Sequence, residues 1–133
     1  MNKILLVRHG ESESNANPKV FYDKPDIAIE LTQKGIKQAL ESGHYILKYL
    51  KNNPKYKHVV FHNSSYQRAI DTSKTISNVV KQSYDIEMTN TFSDSLVEII
   101  QGNFITFHAE GREIYGKKFP NEHEYWNIQT KDP

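Results

Sequence analysis

Two arginines and one histidine stand where short apolar runs of the sequence end. Arg8 and His9 follow the apolar residues 4–7, and Arg68 comes shortly after a second run at residues 58–62. Arginine presents a planar fork of donors that binds phosphate or carboxylate through two hydrogen bonds. An imidazole beside two such forks, near helix N-terminal amides, suits a phosphoryl group. The residues by themselves leave two readings open: a phosphate site or an incidental arrangement at two strand ends.

Arginine is scarce in this chain, so the few positions that have it are candidates for a specific role. The 17 basic residues comprise three arginines and 14 lysines. A chain that uses lysine wherever charge alone is needed is expected to keep arginine where the fork geometry matters. Two of the three arginines, Arg8 and Arg68, occupy the two predicted strand ends.

Strands and helices alternate along the part of the sequence that carries these residues. Residues 3–8 and 58–62 have the short apolar runs typical of buried strands, and residues 85–89 form a weaker third strand. The alternation predicts a three-layer α/β/α fold with a mostly parallel central sheet. Ligands of such sheets bind beyond the carboxyl ends of the strands. We therefore expect Arg8, His9 and Arg68 to meet at one edge of the sheet.

Two amphipathic helices are predicted between and after the strands. The first has Thr32 as its N-cap and ends before Pro54. Its inner face is expected to contain residues at spacings of three and four: Ile36, Ala39, Leu40, Gly43, Leu47 and Leu50. The second begins with a capping box at Ser64 to Gln67. Its inner face is expected to contain Ala69, Ile70, Ser73, Ile76 and Val80.

Composition narrows the class of protein. At 133 residues a single domain is expected, covering residues 1–133. The net charge of +1 gives no reason to expect nucleic-acid or membrane binding. The absence of cysteine excludes disulfides, a thiol nucleophile and cysteine-based zinc sites. The N-terminal apolar run is too short for a signal peptide, so a soluble cytoplasmic protein is expected.

Several motifs, in order, resemble those of the histidine phosphatase superfamily, also called phosphoglycerate mutase-like. Residues 8–12 read RHGES, with Asn15 where a longer form of that signature has asparagine. Residues 31–39 resemble an LTxxGxxQA helix start, and residues 64–72 resemble SxLxRAxxT. Residues 96–102 resemble LxExxxG, and residues 120–124 are a loose echo of PxGES. The resemblance covers residues 3 to about 124.

The resemblance implies a phosphatase that works through a phosphohistidine and needs no metal or cofactor. His9 would be the nucleophile, and Glu98 would be the general acid. Arg8 and Arg68 would hold the phosphoryl oxygens. Asn15 and Ser64 would also bind the phosphate. The implied substrate is a small-molecule or protein phosphomonoester.

One departure from the family pattern keeps other functions open. The second histidine of the family lies in a late segment for which this sequence has no match, so the domain is expected to be C-terminally shortened. A phosphoglycerate mutase-type phosphotransferase and a non-catalytic phosphate-binding module therefore remain as alternatives. A sheet without its late strand would leave an edge unpaired, which predicts self-association.

Overall fold

The computed structural model describes residues 2–96, which form a mixed α/β unit. The elements in chain order are helix α1 at Glu13–Ala16, 3₁₀-helices at Pro18–Tyr22 and Asp26–Ala28, helix α2 at Gln33–Asn52, strand β1 at His58–Ser64, helix α3 at Gln67–Ser83, strand β2 at Glu87–Ser93 and a 3₁₀-helix at Asp94–Leu96. No helix in this part of the chain combines the length and the apolar character that crossing a membrane requires.

β1 and β2 pair in parallel, so the predicted α/β class is confirmed. Their register runs from His58 opposite Glu87 to Ser64 opposite Ser93. Because parallel neighbours need a crossover, α3 connects the end of β1 to the start of β2. β1 extends past the apolar run because the buried Asn63 continues the ladder. The Asn63 side-chain amide donates to the Thr91 carbonyl oxygen at 3.2 Å.

α2 confirms the predicted first helix, although part of its predicted inner face is wrong. The Thr32 hydroxyl caps it by accepting from the Gly35 amide at 3.1 Å. Ile36 and Leu40 are 37% and 40% exposed. Each follows a buried residue, and one residue rotates the helix by roughly 100°, which carries these two side chains out of the buried stripe. That stripe consists of Gly35, Ala39, Gly43, Ile46, Leu47 and Leu50.

α3 begins later than the sequence suggests, so the predicted capping box is wrong. The N-cap is Tyr66, and it makes no side-chain cap hydrogen bond. Ser64 cannot cap the helix because it is still paired in β1. Its hydroxyl instead accepts from the Tyr66 amide at 3.2 Å and stabilises the turn between strand and helix.

The core lies between α2, α3 and one face of the sheet. Its buried residues are Ile46, Leu47 and Leu50 of α2 with Ile76, Val79 and Val80 of α3, and the partly buried Val59, Phe61, Ile86 and Met88 pack against them. The alternating side chains of the other face, including His58 and His62, are exposed. Residues 2–96 therefore supply the sheet layer and one of the two predicted helical layers.

The predicted first strand, residues 3–8, is not formed in the structure. The segment has no strand partner within residues 2–96. Ile4 is 82% exposed and Leu6 is 96% exposed. The apolar run indicates only that burial would be favourable, whereas a strand also requires a neighbour with unpaired backbone groups. β1 and β2 pair with each other, and residues 3–8 pair with neither of them.

Candidate functional site

The loop after Arg8 crosses the start of α2 at backbone contact. A Cβ placed on Gly10 would overlap the backbone of Gly35, and a Cβ placed on Gly35 would overlap the backbone of Glu11. The Thr32 amide donates to the Glu11 carbonyl oxygen at 2.9 Å. Ser12 forms an isolated antiparallel bridge with Leu31. The RHGES-like loop therefore lies directly on the LTxxG-like segment.

Two side chains fix the backbone amides that follow His9. The Gly10 amide donates to the buried Thr72 hydroxyl of α3 at 3.2 Å. That hydroxyl donates in turn to the Arg68 carbonyl oxygen at 2.8 Å. The Glu11 amide donates to Oε1 of Gln38 of α2 at 2.8 Å. Both helices thus hold the backbone that carries the imidazole.

The His9 ring has a defined hydrogen-bond arrangement. Its Nδ1 lies 2.6 Å from the Gly10 carbonyl oxygen. A carbonyl oxygen only accepts, so Nδ1 must carry the hydrogen. In the neutral ring the lone pair is then on Nε2, which is the nitrogen able to attack an electrophile.

Asn15 is oriented by α1. Its Oδ1 accepts from the Ser12 amide at 3.0 Å and from the Ser12 hydroxyl at 2.9 Å. The backbone N–H of Asn15 donates to the Ser12 hydroxyl at 3.2 Å, which completes a capping box. Because Oδ1 is used in this way, the side-chain NH₂ is the group that Asn15 offers to a ligand.

One cavity brings part of the predicted site together. It has a volume of about 450 Å³, and its lining residues are Arg8, His9, Gly10, Glu11, Asn15, Gln38, Ala39 and Ser42. Three predicted site residues, Arg8, His9 and Asn15, are among them. The Glu11 carboxylate contacts the Thr32 hydroxyl at 2.8 Å and lies 3.6 Å from the Lys34 ammonium. The cavity lining therefore combines an arginine, a histidine and an acidic residue with neutral amide side chains.

Arg68, the second predicted phosphate-binding arginine, does not line this cavity. Its guanidinium Nη1 donates to the Asp26 carbonyl oxygen and to Asp26 Oδ1, both at 2.9 Å. It also lies over the Tyr66 ring, 4.8 Å from the centroid. Only 5% of Arg68 is exposed. Of the three side chains predicted to meet, Arg8 and His9 line the cavity, whereas Nη1 of Arg68 binds Asp26 at the start of the second 3₁₀-helix.

The remaining predicted site residues lie elsewhere. Ser64 is at the β1–α3 turn and does not line the cavity. Glu98 lies outside the described residues, so its role as the acid stays a prediction. Sequence reasoning missed Gln38 and Thr72 as site residues, although both belong to the motifs quoted above. The signal for Thr72 was its place as the last residue of the SxLxRAxxT-like segment, four residues after Arg68.

An ion network joins α1 to the loop before α2. The Lys24 ammonium lies 2.9 Å from the Glu13 carboxylate and 3.2 Å from the Glu30 carboxylate. The hydrogen bond from Lys24 lowers the pKa of Glu13 below its ordinary value, and the Glu30 amide contributes in the same direction. The bond to Glu13 raises the pKa of Lys24. These contacts close the loop that carries Asp26.

Residues 2–96 contain no group of three or more acidic or histidine side chains arranged to hold a metal ion.

Comparison with known proteins gives a family match over almost the whole chain. The model of the histidine phosphatase superfamily (branch 1) matches residues 4–132. The phosphoglycerate mutase-like protein AT74 of Arabidopsis thaliana is 38% identical over 56% of this chain and 24% of its own length. The broad-range acid phosphatase DET1 of Saccharomyces cerevisiae is 32% identical over 59% of this chain and 33% of its own length. The chain thus spans about a quarter to a third of these curated relatives.

Among solved structures, a protein assigned as the phosphohistidine phosphatase SixA of Agrobacterium tumefaciens aligns with a TM-score of 0.46. The alignment covers 80% of this chain and 60% of that one, at 14% sequence identity.

Proposed function

Since this chain belongs to the histidine phosphatase superfamily, we propose that it hydrolyses phosphomonoesters through a phosphohistidine on His9. The observation that carries the proposal is the 2.6 Å contact between His9 Nδ1 and the Gly10 carbonyl oxygen. It leaves Nε2 as the nucleophilic nitrogen, beside Arg8 and Asn15 in one cavity. Guanidinium and amide donors stabilise the charge on a transferring phosphoryl group without a metal.

The proposed reaction has two steps. In the first, the Nε2 lone pair of His9 attacks phosphorus, the ester P–O bond breaks, and the leaving oxygen takes a proton from Glu98. In the second, Glu98 removes a proton from water, the water oxygen bonds to phosphorus, and the P–N bond breaks to restore His9. Arg8 and Asn15 would hold the non-bridging oxygens in both steps. The role of Glu98 rests on the resemblance of residues 96–102 to the family motif.

The acceptor of the phosphoryl group separates this proposal from its alternative. In a mutase the same phosphohistidine passes its phosphoryl group to a hydroxyl of a sugar acid. AT74 is named as mutase-like and DET1 as an acid phosphatase. We favour water as the acceptor because the segments after Asn15 and Glu98 do not resemble mutase-specific stretches. The proposed substrate is a small-molecule or protein phosphomonoester, met in the cytoplasm.

Self-association is proposed through residues 3–8, with a second copy of the chain as the partner. Ile4 and Leu6 are the most exposed of the large apolar side chains in the described residues. An apolar segment that has no strand partner within residues 2–96 favours pairing with another chain.

The test is detection of an acid-labile, base-stable phosphoryl label on the intact chain after incubation with a labelled phosphomonoester. We expect label on the wild type and none on His9→Ala. His44→Ala is the matched control, because His44 is an exposed histidine of α2 that does not line the cavity. Label that persists in His9→Ala would overturn the proposal. Label without release of inorganic phosphate would favour the mutase.

A further inference from the structure

One wall of the cavity comes from α2, and the proposed chemistry does not use it. Gln38, Ala39 and Ser42 line this wall. Gln38 and Ser42 are four residues apart, so their side chains lie on the same side of the helix. Between them they place one amide and one hydroxyl, both neutral, opposite the loop that carries His9.

The orientation of the Gln38 amide follows from its partner. Its Oε1 lies 2.8 Å from the Glu11 backbone nitrogen, which is a donor only. The atom facing Glu11 must therefore be the oxygen, and Nε2 with its two hydrogens points away from that bond. Since Gln38 lines the cavity, this NH₂ group is a donor available to a ligand there.

The charges around the cavity make a neutral donor useful at this position. The cationic lining residue is Arg8, and the acidic one is Glu11. The Glu11 carboxylate is held by Thr32 and Lys34. An amide donor adds a hydrogen bond to an anionic oxygen without adding a second charge near Arg8.

We propose that Gln38 has two separable roles, which rest on the proposed function of His9. Through Oε1 it is a positioning residue that fixes the Glu11 amide and hence the loop bearing His9. Through Nε2 it binds an oxygen of the phosphomonoester. A glutamate in its place keeps an acceptor for the Glu11 amide but loses the donor, whereas a methionine loses both.

The experiment compares Gln38→Glu and Gln38→Met with the wild type in the full chain. Steady-state turnover of p-nitrophenyl phosphate gives kcat and KM, and titration calorimetry gives the Kd of inorganic phosphate. For Gln38→Glu we expect KM and Kd to rise by about tenfold or more while kcat changes by less than about threefold. For Gln38→Met we expect kcat to fall as well, by about tenfold, because the Glu11 amide loses its acceptor.

Gln33→Glu is the matched control, since it adds the same charge to the same helix outside the cavity. We expect it to leave KM and Kd unchanged. If the KM and the Kd of Gln38→Glu are the same as those of the wild type, the binding role is overturned. An unchanged kcat in Gln38→Met would overturn the positioning role.

Phosphate calorimetry keeps this inference separate from the catalytic proposal. If the wild type binds phosphate and Gln38→Glu weakens that binding, the binding role stands even where no label forms on His9. A wild type that does not bind phosphate would overturn the binding role.

Discussion

Gly10 and Gly35 touch through their backbones, and neither position has room for a side chain. Gly10 follows the candidate nucleophile, and Gly35 lies in the first turn of α2. Two motifs separated by the whole α1–α2 loop are therefore in contact through their glycines. The contact explains why an LTxxG-like segment accompanies the RHGES-like loop in this chain.

Replacement of Gly35 should displace the loop that carries His9. A Cβ in Gly35→Ala would overlap the Glu11 backbone, which cannot move aside as a flexible side chain would. We expect a loss of about 1–3 kcal/mol in the free energy of unfolding, measured by urea denaturation, together with a large loss of turnover.

Gly43→Ala is the control for this substitution. Its Cβ would lie 3.0 Å from the Val79 Cβ in the core, away from the cavity. We expect the folded Gly43→Ala protein to keep its turnover, because the added methyl group meets a core side chain and not the loop that carries His9. Similar specific activities of the two variants would contradict the role of the Gly10–Gly35 contact.

Thr72 should matter through its hydroxyl. In Thr72→Val the shape is kept, but the buried Gly10 amide loses its acceptor, which costs about 1–3 kcal/mol. We expect Thr72→Val to have a lower thermal midpoint and reduced turnover. Thr72→Ser, which keeps the hydroxyl, should recover most of the thermal stability and most of the turnover. Turnover in Thr72→Val equal to that of the wild type would show that the bond does not position His9.

Arg68 and Asp26 should stabilise the fold as a pair. Removing one partner of a buried ion pair leaves the other uncompensated, which costs about 3–5 kcal/mol. A double-mutant cycle with Arg68→Met and Asp26→Leu should therefore show a large coupling energy in denaturation experiments. Additive effects of the two substitutions would contradict the pairing.

Arg68→Lys should also reduce turnover, because lysine keeps the charge but lacks the fork that binds Asp26. Arg68 lies in the turn of α3 that holds Thr72 and, through it, the Gly10 amide beside His9. The measurement is kcat/KM of the folded variant. Wild-type turnover in Arg68→Lys would show that charge alone suffices at this position.

The Glu13–Lys24 contact should make a small, pH-dependent contribution to stability. The pKa of Glu13 is lowered from 4.5 on folding, so its contribution is present above that pH and is lost as pH falls through the lowered value. The pKa of Lys24 is raised from 10.5, so its contribution is present below that pH and is lost as pH rises through the raised value.

The stability difference between the wild type and Glu13→Gln should therefore be largest between about pH 5 and pH 10. It should be small even there, since solvent screens exposed pairs. Urea denaturation at pH 7 and pH 3 measures it. A difference that grows on acidification would contradict the sign of the Glu13 shift.

Association of the chain should depend on residues 3–8. Sedimentation velocity of the wild type is expected to show dimers or larger species. Leu6→Lys should shift them toward the monomer, because a charge on this segment opposes pairing with a second apolar strand. Lys48→Leu would serve as the reverse control, because it replaces an exposed charge of α2 with an apolar side chain. A monomeric wild type would contradict the proposal.

Local patterns in the sequence predicted α2 and β1 well. Thr32 identifies the start of α2, and the apolar residues around Val59 and Phe61 identify β1. The contacts between distant elements could not be predicted in the same way. Residues 3–8 have the pattern of a strand, but no local pattern says whether a partner lies beside them.

The same limit applies to the candidate site. His9, Arg8 and Asn15 belong to one short motif, and they line one cavity. Arg68 was expected beside them, but Asp26, in a loop 42 residues earlier, binds its guanidinium. That loop has no periodicity from which its path could be inferred, so the competing carboxylate could not be anticipated.

Arg68 connects two loops that are distant in the sequence. Its carbonyl oxygen holds Thr72, which holds the Gly10 amide, while its guanidinium holds Asp26. The Asp26 loop and the His9 loop are therefore both held by the same turn of α3, so that the opening of one is coupled to the loosening of the other. Any ligand that tightens the His9 loop would slow amide hydrogen exchange in residues 18–30, although it touches none of them.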